Sequence, residues 1–198
     1  MSRASTAGYA AEAEALARQY ESVTFEEVHA PLVHLLPPPG RALDIGAGSG
    51  RDAAALAARG FAVIAVEPTA ELRAEGARLH AGSAITWLDD SLPDLPVLAA
   101  RAERFDLILL TAVVMHLDAG ERARAMARIA AHLSPGGRVF MSLRHGPVPA
   151  GRRMFDVSGE ETEALAHAHG LATLHRATRS DMFARPGVSW TLLAFTPA

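Results

Sequence analysis

The stretch "RALDIGAGSGRDAAALAARGFAVIAVEP" (residues 41–68) decides the fold. It reads as a strand at 41–46, a helix at 51–59 and a second strand at 61–67. Gly46, Gly48 and Gly50 fill the turn between strand and helix. Glycines allow positive φ and let the backbone approach a ligand closely. A helix N-terminus offers free N–H groups and a positive dipole end, which suit a carboxylate or phosphate. Glu67 closes the second strand, where a carboxylate accepts both ribose hydroxyls of an adenosine. The bland alternative is a tight turn with incidental glycines and an exposed acid.

Outward from this unit, strands and helices alternate. An Ala/Glu/Arg-rich helix pattern covers 9–20, a second helix lies within 24–36, and "LLPPPG" (35–40) separates both from the first strand. Further on come a helix at 69–79, a strand at 84–88, a buried strand at 104–110, a helix at about 119–133 ending at "SPGG", and a strand at 138–143. "SGEETEALAHAHG" has an acid-rich first turn and a terminal Gly170, both helix signals. Strands near 171–178 and 189–196 flank "RPG" with no room for a helix between them, so they are antiparallel neighbours. The expectation is an α/β, Rossmann-like, doubly wound sheet of seven strands. It is mostly parallel with an antiparallel last strand, has helices on both faces and carries an N-terminal helical cap. One domain would span 1–198, with the cap at 1–38, a cofactor-binding core at 41–143 and a C-terminal helix and strand pair at 144–198.

Composition narrows the function. The chain has 198 residues, 49% hydrophobic and 21% charged, enough for one soluble globular domain with a full core. No run of about 18 apolar residues occurs, and the start has no apolar signal region, so a cytoplasmic protein is expected. Cysteine is absent, which excludes disulfides, thiolate metal sites and a cysteine nucleophile. Lysine is absent too, so all 19 basic residues of the Lys/Arg class are arginine, and Schiff-base chemistry and a P-loop lysine are excluded. The bland reading of that bias is a GC-rich coding sequence. Net charge is −3 with no basic run, so no general nucleic-acid surface is indicated. The spacing of the histidines suggests no metal site.

Two cofactor classes fit the glycine turn. "GSGRDA" satisfies the loose form of the nicotinamide-dinucleotide fingerprint. Against that reading stand Asp44 inside the strand, the third glycine in alternating register, and a chain too short for a separate substrate domain.

The sequence resembles the class I S-adenosylmethionine-dependent methyltransferase family. "LDIGAGSGRDAAALAARG" resembles its first motif, "AVIAVEP" its second, "ITWLDDSLPDL" its third, "FDLILLTAVVMHL" its fourth, and "LSPGGRVFMSL" the helix-to-strand exit that follows. The resemblance runs through about 41–143 and less specifically to the end. It implies S-adenosyl-L-methionine as cofactor and S-adenosyl-L-homocysteine as product. Glu67, next to Pro68, would then meet the ribose. Asp89 would meet the adenine amino group, with the Asp90 N–H near the ring. Asp44 would orient turn N–H groups or meet the methionine amino group. Gly46, Ala47, Gly48, Gly50 and Thr111 would line the cofactor. Arg51 is either a partner of the methionine carboxylate or a solvated first-turn residue.

The acceptor is less legible. A sulfonium carries its own activated methyl group, so alignment of an acceptor lone pair supplies much of the rate. An oxygen acceptor also needs a base, for which His is usual. His116, after the fourth strand, and His145, after the fifth, are the candidate catalytic residues, each with a plain structural alternative as a brace or a solvated loop residue. Arg144 is placed to contact the acceptor. By position in the cap, Tyr9 and Tyr20 would close the acceptor and cofactor sides of the site, or simply pack the helix on the core. Arg152 and Arg153 hint at an anionic acceptor, a hint diluted by the arginine bias. "TAVV" in place of "NPPY" argues against DNA-base amino methylation by that motif.

The expectation is methyl transfer to an O or N atom of a small-molecule acceptor, with no membrane partner and an open oligomeric state. A non-catalytic S-adenosylmethionine-binding protein of the same fold and a small NAD-linked oxidoreductase are the alternatives.

Overall fold

The computed structural model describes Thr6 and residues 8–198. Seven strands form one sheet in the order β3-β2-β1-β4-β5-β7-β6. They are β1 (Arg41–Ile45), β2 (Ala62–Val66), β3 (Ile85–Leu88), β4 (Phe105–Thr111), β5 (Leu133–His145), β6 (Leu171–Ser180) and β7 (Ser189–Pro197). The first five pair in parallel, and β7 runs antiparallel to both neighbours, β5 and β6. The seven-stranded, mostly parallel sheet with one reversed strand read from the sequence is therefore the observed one. The reversed strand is last in the chain but lies inside the sheet, with β6 at the edge.

The central strands are apolar on both faces, which is what a sheet covered on two sides requires. On one face Leu43, Ile45, Ile108, Leu110, Met141 and Phe195 join the helix α6 (Ala119–His132) through Met126 and Ile129. On the other, Leu107, Leu109, Phe140 and Leu192 meet Ala53 and Leu56 of α3 (Arg51–Ala58) and the cap residues Phe25 and Leu32. Alternation along each strand thus sends odd and even positions to different cores.

The cap is α1 (Ala13–Glu21) followed by α2 (Phe25–His29), with α4 (Ala70–Leu79) beside α1. Thr24 and Glu27 form a reciprocal capping box that starts α2, and Pro31 follows its end. Asp118 and Glu121 do the same for α6, and Ser158 caps α7 (Gly159–Ala168).

Three local features differ from the sequence expectation. The expected helix start is a short 3-10 turn, Ala10–Glu12, before α1 begins. A brief helix, α5 (Pro96–Ala99), follows β3 and is started by Asp90, whose carboxylate accepts from the Leu98 N–H at 2.8 Å. β5 begins at Leu133 rather than beyond the "SPGG" turn, because Leu133 already pairs with Phe105. The ladder then shifts register before Leu107 pairs with Arg138, and Gly136 takes φ 75° in the slack. Among the described residues no helix is long and apolar enough to cross a membrane.

Candidate active site

A cavity of about 510 Å³ runs along the edge of the sheet where the parallel strands end. That volume is in the range of small-molecule and cofactor sites, roughly 300–1,000 Å³. Each of six strands brings a residue to it. Glu67 follows β2, Gly46 follows β1, Thr111 ends β4, Arg144 lies near the end of β5, Trp190 opens β7 and Arg179 lies near the end of β6. The cap closes it from above with Tyr9 and Tyr20.

The glycine turn is locked to Glu67. One carboxylate oxygen accepts from the Gly48 N–H at 2.9 Å, and the other from the Thr69 N–H at 2.8 Å. Burial pushes the Glu67 carboxyl up, and these two N–H bonds hold it back toward the ionised form. Gly46, Gly48 and Gly50 all have positive φ (71°, 58° and 86°). A Cβ on Gly46 would come within 2.6 Å of Val113, and one on Gly48 within 3.3 Å of the Tyr20 ring. The turn thus needs glycine both for its dihedrals and for the close approach of its neighbours.

Below the turn lies a dense charged cluster. Asp52 accepts from Arg51 at 2.7 Å and from Thr111 Oγ1 at 2.7 Å, and pairs with His29 at 2.9 Å. Although burial opposes ionisation, His29 and Arg51 together hold Asp52 well below the usual carboxylate range. Asp44 differs. It is buried and its Oδ2 has no hydrogen-bond partner. Burial, with Asp52 and Glu67 nearby, raises its carboxyl far above the ordinary value. An unsatisfied buried carboxylate oxygen on a cavity wall is a seat for a cationic or N–H donor.

His116 sits on a short turn after β4. Its Nδ1 lies 2.8 Å from the Arg153 carbonyl, which can only accept, so Nδ1 carries the proton. In the neutral ring Nε2 is then the acceptor, and the Tyr9 hydroxyl donates to it at 3.0 Å. Burial lowers the His116 pKa and favours this neutral ring. The Tyr9 hydroxyl is raised by its own burial and remains a phenol. Arg152 stacks on the Tyr9 ring at 4.0 Å and pairs with Glu12 at 2.5 Å, tying the segment after β5 to the cap.

The residues expected at the site from sequence divide clearly. Ala47, Arg51 and Pro68 line the cavity along with Tyr9, Tyr20, Asp44, Gly46, Gly48, Glu67, Thr111, His116 and Arg144. Gly50 shapes the turn from behind it. Asp89 does not reach the cavity: its side chain is 64% exposed and turns to Arg73. Asp90, expected to bring its backbone N–H there, is not part of the wall either, and its carboxylate accepts from the Ser91 and Leu98 N–H groups. The segment reaches the cavity through Ser91 and Leu92 instead. His145 also lies outside, bonded to Thr191 Oγ1 at 2.8 Å. Sequence reasoning passed over Arg179, Asp181, Arg185 and Trp190, which all line the cavity. The alternating pattern of β6 and β7 was their only signal.

Comparisons with known proteins agree with this fold. A methyltransferase domain family model matches residues 16–182. No curated protein matches the sequence. Among solved structures, a TehB-like S-adenosylmethionine-dependent methyltransferase from Corynebacterium glutamicum superposes with a TM-score of 0.71 at 20% identity, covering 95% of this chain and 99% of that one. The 1,6-didemethyltoxoflavin-N1-methyltransferase of Burkholderia thailandensis, solved with its namesake ligand and S-adenosylhomocysteine, gives 0.70 at 22%, covering 94% and 88%. The magnesium protoporphyrin IX methyltransferase of Synechocystis, with bound S-adenosylmethionine, gives 0.68 at 17%, covering 96% and 85%. At such identities the structural likeness establishes the fold, and the family model establishes membership. The chain belongs to the methyltransferase domain family, of the class I S-adenosylmethionine-dependent type.

The residues present fit that cofactor: Glu67 offers a carboxylate on the cavity wall that suits ribose hydroxyls, and Asp44 an unpartnered oxygen that suits an ammonium.

Proposed function

We propose that the protein transfers the methyl group of S-adenosylmethionine to an oxygen or nitrogen atom of a small-molecule acceptor. The observation that carries this reading is one continuous cavity. It joins the glycine turn and Glu67 at one end to His116 and Arg144 beyond the ends of β4 and β5.

When bound, S-adenosylmethionine supplies an electrophilic methyl group, so the chain's tasks are binding, alignment and the handling of one proton. Glu67 receives the ribose hydroxyls while its N–H bonds keep it in place. Asp44 receives the ammonium. Arg51, held by Asp52 and the Tyr20 carbonyl, faces the carboxylate together with the turn N–H groups. Ser91 and Leu92 border the adenine. Tyr9, Tyr20 and Arg152 exclude water from above, which strengthens each of these contacts.

His116 is the group that takes a proton from the acceptor. Its Nε2 lone pair is directed into the cavity by the fixed Nδ1–H bond to Arg153, and the Tyr9 hydroxyl holds the place that an acceptor O–H or N–H takes. The acceptor is a small molecule because the site is a cavity beneath a helical cap.

Calorimetric titration with S-adenosylmethionine, S-adenosylhomocysteine and NADH tests the cofactor assignment. The expected result is binding of both S-adenosyl ligands and none of NADH. Turnover is then read with radiolabelled methyl donor over a panel of small hydroxyl and amine acceptors. S-adenosyl binding with no methyl transfer to any acceptor is the behaviour of a non-catalytic binder, and NADH binding alone overturns the reading.

A further inference from the structure

Resting on the methyltransferase reading of this cavity, we infer that the acceptor is an organic anion, a carboxylate or phosphate held between Arg144 and Arg179 on either side of Trp190.

The sheet register sets up this arrangement. Arg144 of β5 pairs directly with Trp190 of β7, and Trp190 pairs directly with Arg179 of β6. Residues directly opposite in a ladder project from the same face. Two guanidinium groups therefore flank one indole across three adjacent strands, and all three residues line the cavity. Arg179 lies over the indole at 5.3 Å.

These two arginines differ from the others in the cavity wall. Arg51 is paired with Asp52, Arg152 with Glu12 and Arg185 with Asp181. Arg144 and Arg179 have no carboxylate partner among the described residues. Arg144 is 9% exposed, and one of its terminal nitrogens donates to the Pro147 carbonyl at 2.9 Å. Arg179 donates to the Ser180 carbonyl at 3.3 Å. The Nε of each is buried with no hydrogen-bond partner.

Asp181 is the nearest carboxylate in the wall, and it is already committed. It accepts from Arg185 through both oxygens, from the Trp190 indole N–H at 2.9 Å and from two backbone N–H groups. Burial lowers the pKa of both guanidiniums, Arg185 adds to this in each and Arg51 in Arg179, and Asp181 opposes it in both. A buried cation with open donors is costly unless something anionic completes it. A planar guanidinium with a free edge suits the two oxygens of a carboxylate or phosphate.

The cofactor's own carboxylate is not that anion. That carboxylate is assigned to Arg51 and the turn N–H groups at β1, whereas the row is centred on β7, three strand spacings away, roughly 14 Å at about 4.8 Å each. The Arg51 charge still acts on Arg179, so the two anions are told apart with S-adenosylhomocysteine bound, when the cofactor's carboxylate is already seated. The Arg144 charge acts on the Tyr9 hydroxyl, which itself bonds His116 Nε2, so an anion on Arg144 leaves the rest of the acceptor near the His116 nitrogen.

The test uses simple probes. The intact protein, saturated with S-adenosylhomocysteine, is titrated calorimetrically with benzoate, phenyl phosphate and benzamide, then again as Arg144→Gln and Arg179→Gln. Benzoate or phenyl phosphate is expected to bind at least about tenfold more tightly than benzamide, and the stronger of the two identifies the anion class. Each substitution is expected to weaken that anion about tenfold or more while S-adenosylhomocysteine affinity stays within about threefold. Equal binding of benzamide, binding of none of the three, or variants that lose S-adenosylhomocysteine but keep the anion overturns the inference. The wild-type comparison stands by itself if a variant does not fold. Failure of S-adenosylhomocysteine to bind the wild type defeats the methyltransferase reading instead, and the anion comparison is then read without it.

Discussion

The Tyr9 hydroxyl donates to His116 Nε2 at 3.0 Å across 107 positions of sequence. The cap thereby satisfies the nitrogen that the fold directs into the cavity. Replacing His116 with Gln keeps a polar group of similar size and removes the base. For an acceptor that loses its proton in the transition state, kcat is expected to fall about 10²- to 10⁴-fold with S-adenosylhomocysteine affinity nearly unchanged. An unaltered kcat would reduce His116 to a brace for the loop at Arg153.

The same residue makes a stability prediction. Burial lowers the folded-state pKa of His116 below its ordinary 6.5. Between those two values the unfolded chain binds more protons than the folded one, so stability rises with pH through that window. The contribution is complete above 6.5 and is lost as pH falls toward the folded value. Denaturant unfolding at stepped pH should show a steeper acid loss for the wild type than for His116→Gln.

Asp44 has the opposite sign. Its folded pKa is raised well above 3.8 by burial, so the folded state holds the extra proton and apo stability falls as pH rises through that interval. Asp44→Asn should flatten this fall and stabilise the apo protein above that interval by about 1 kcal/mol or more, since no charge is then buried. It should also weaken S-adenosylmethionine binding at least about tenfold by removing the ion pair with the ammonium. At a pH within that interval, titration in buffers of different ionisation enthalpy should detect a proton released on binding to the wild type and none for Asp44→Asn.

Glu67 bonds the turn and faces the cavity at once. Glu67→Ala removes the acceptor for the Gly48 and Thr69 N–H groups as well as for ribose. Each hydrogen bond to a charged acceptor is worth about 1.5–3 kcal/mol, so cofactor affinity should fall about 10- to 100-fold. Glu67→Gln, which still accepts one N–H, should fall less. Equal affinity in a folded Glu67→Ala protein would remove Glu67 from the cofactor site.

What the sequence disclosed follows the range of its signals. The strand–turn–helix at 41–58 was legible because glycines, apolar runs and a terminal acid lie within 28 residues of one another. The antiparallel end was legible from the missing helix alone. The third motif was not resolved to the residue, because "DDS" holds two acids and only packing decides which one turns inward. In the fold Asp90 caps α5, Asp89 meets Arg73, and Ser91 reaches the cavity. The Arg144–Trp190–Arg179 row was hidden for a different reason. Its members are joined by strand register, and in a chain whose 19 basic residues are all arginine no single one stands out.

Gly76 gives a test of packing against local propensity. It lies in the interior of α4, where Ala is intrinsically better than Gly by about 1 kcal/mol. Propensity alone therefore predicts that Gly76→Ala stabilises. The fold opposes it: a Cβ there would stand 2.4 Å from the Trp87 ring and 2.8 Å from the Ser49 carbonyl oxygen. The indole is partly enclosed between α4 and the glycine turn, since a Cβ on Gly50 would also stand 2.8 Å from it. The carbonyl belongs to that same turn and cannot move without disturbing Gly48 and Gly50. Overpacking costs about 1–3 kcal/mol, which outweighs the helix gain. Gly76→Ala should lower Tm and, by displacing the turn, weaken S-adenosylhomocysteine binding. A raised Tm with unchanged affinity would show that α4 and the turn are not packed this closely.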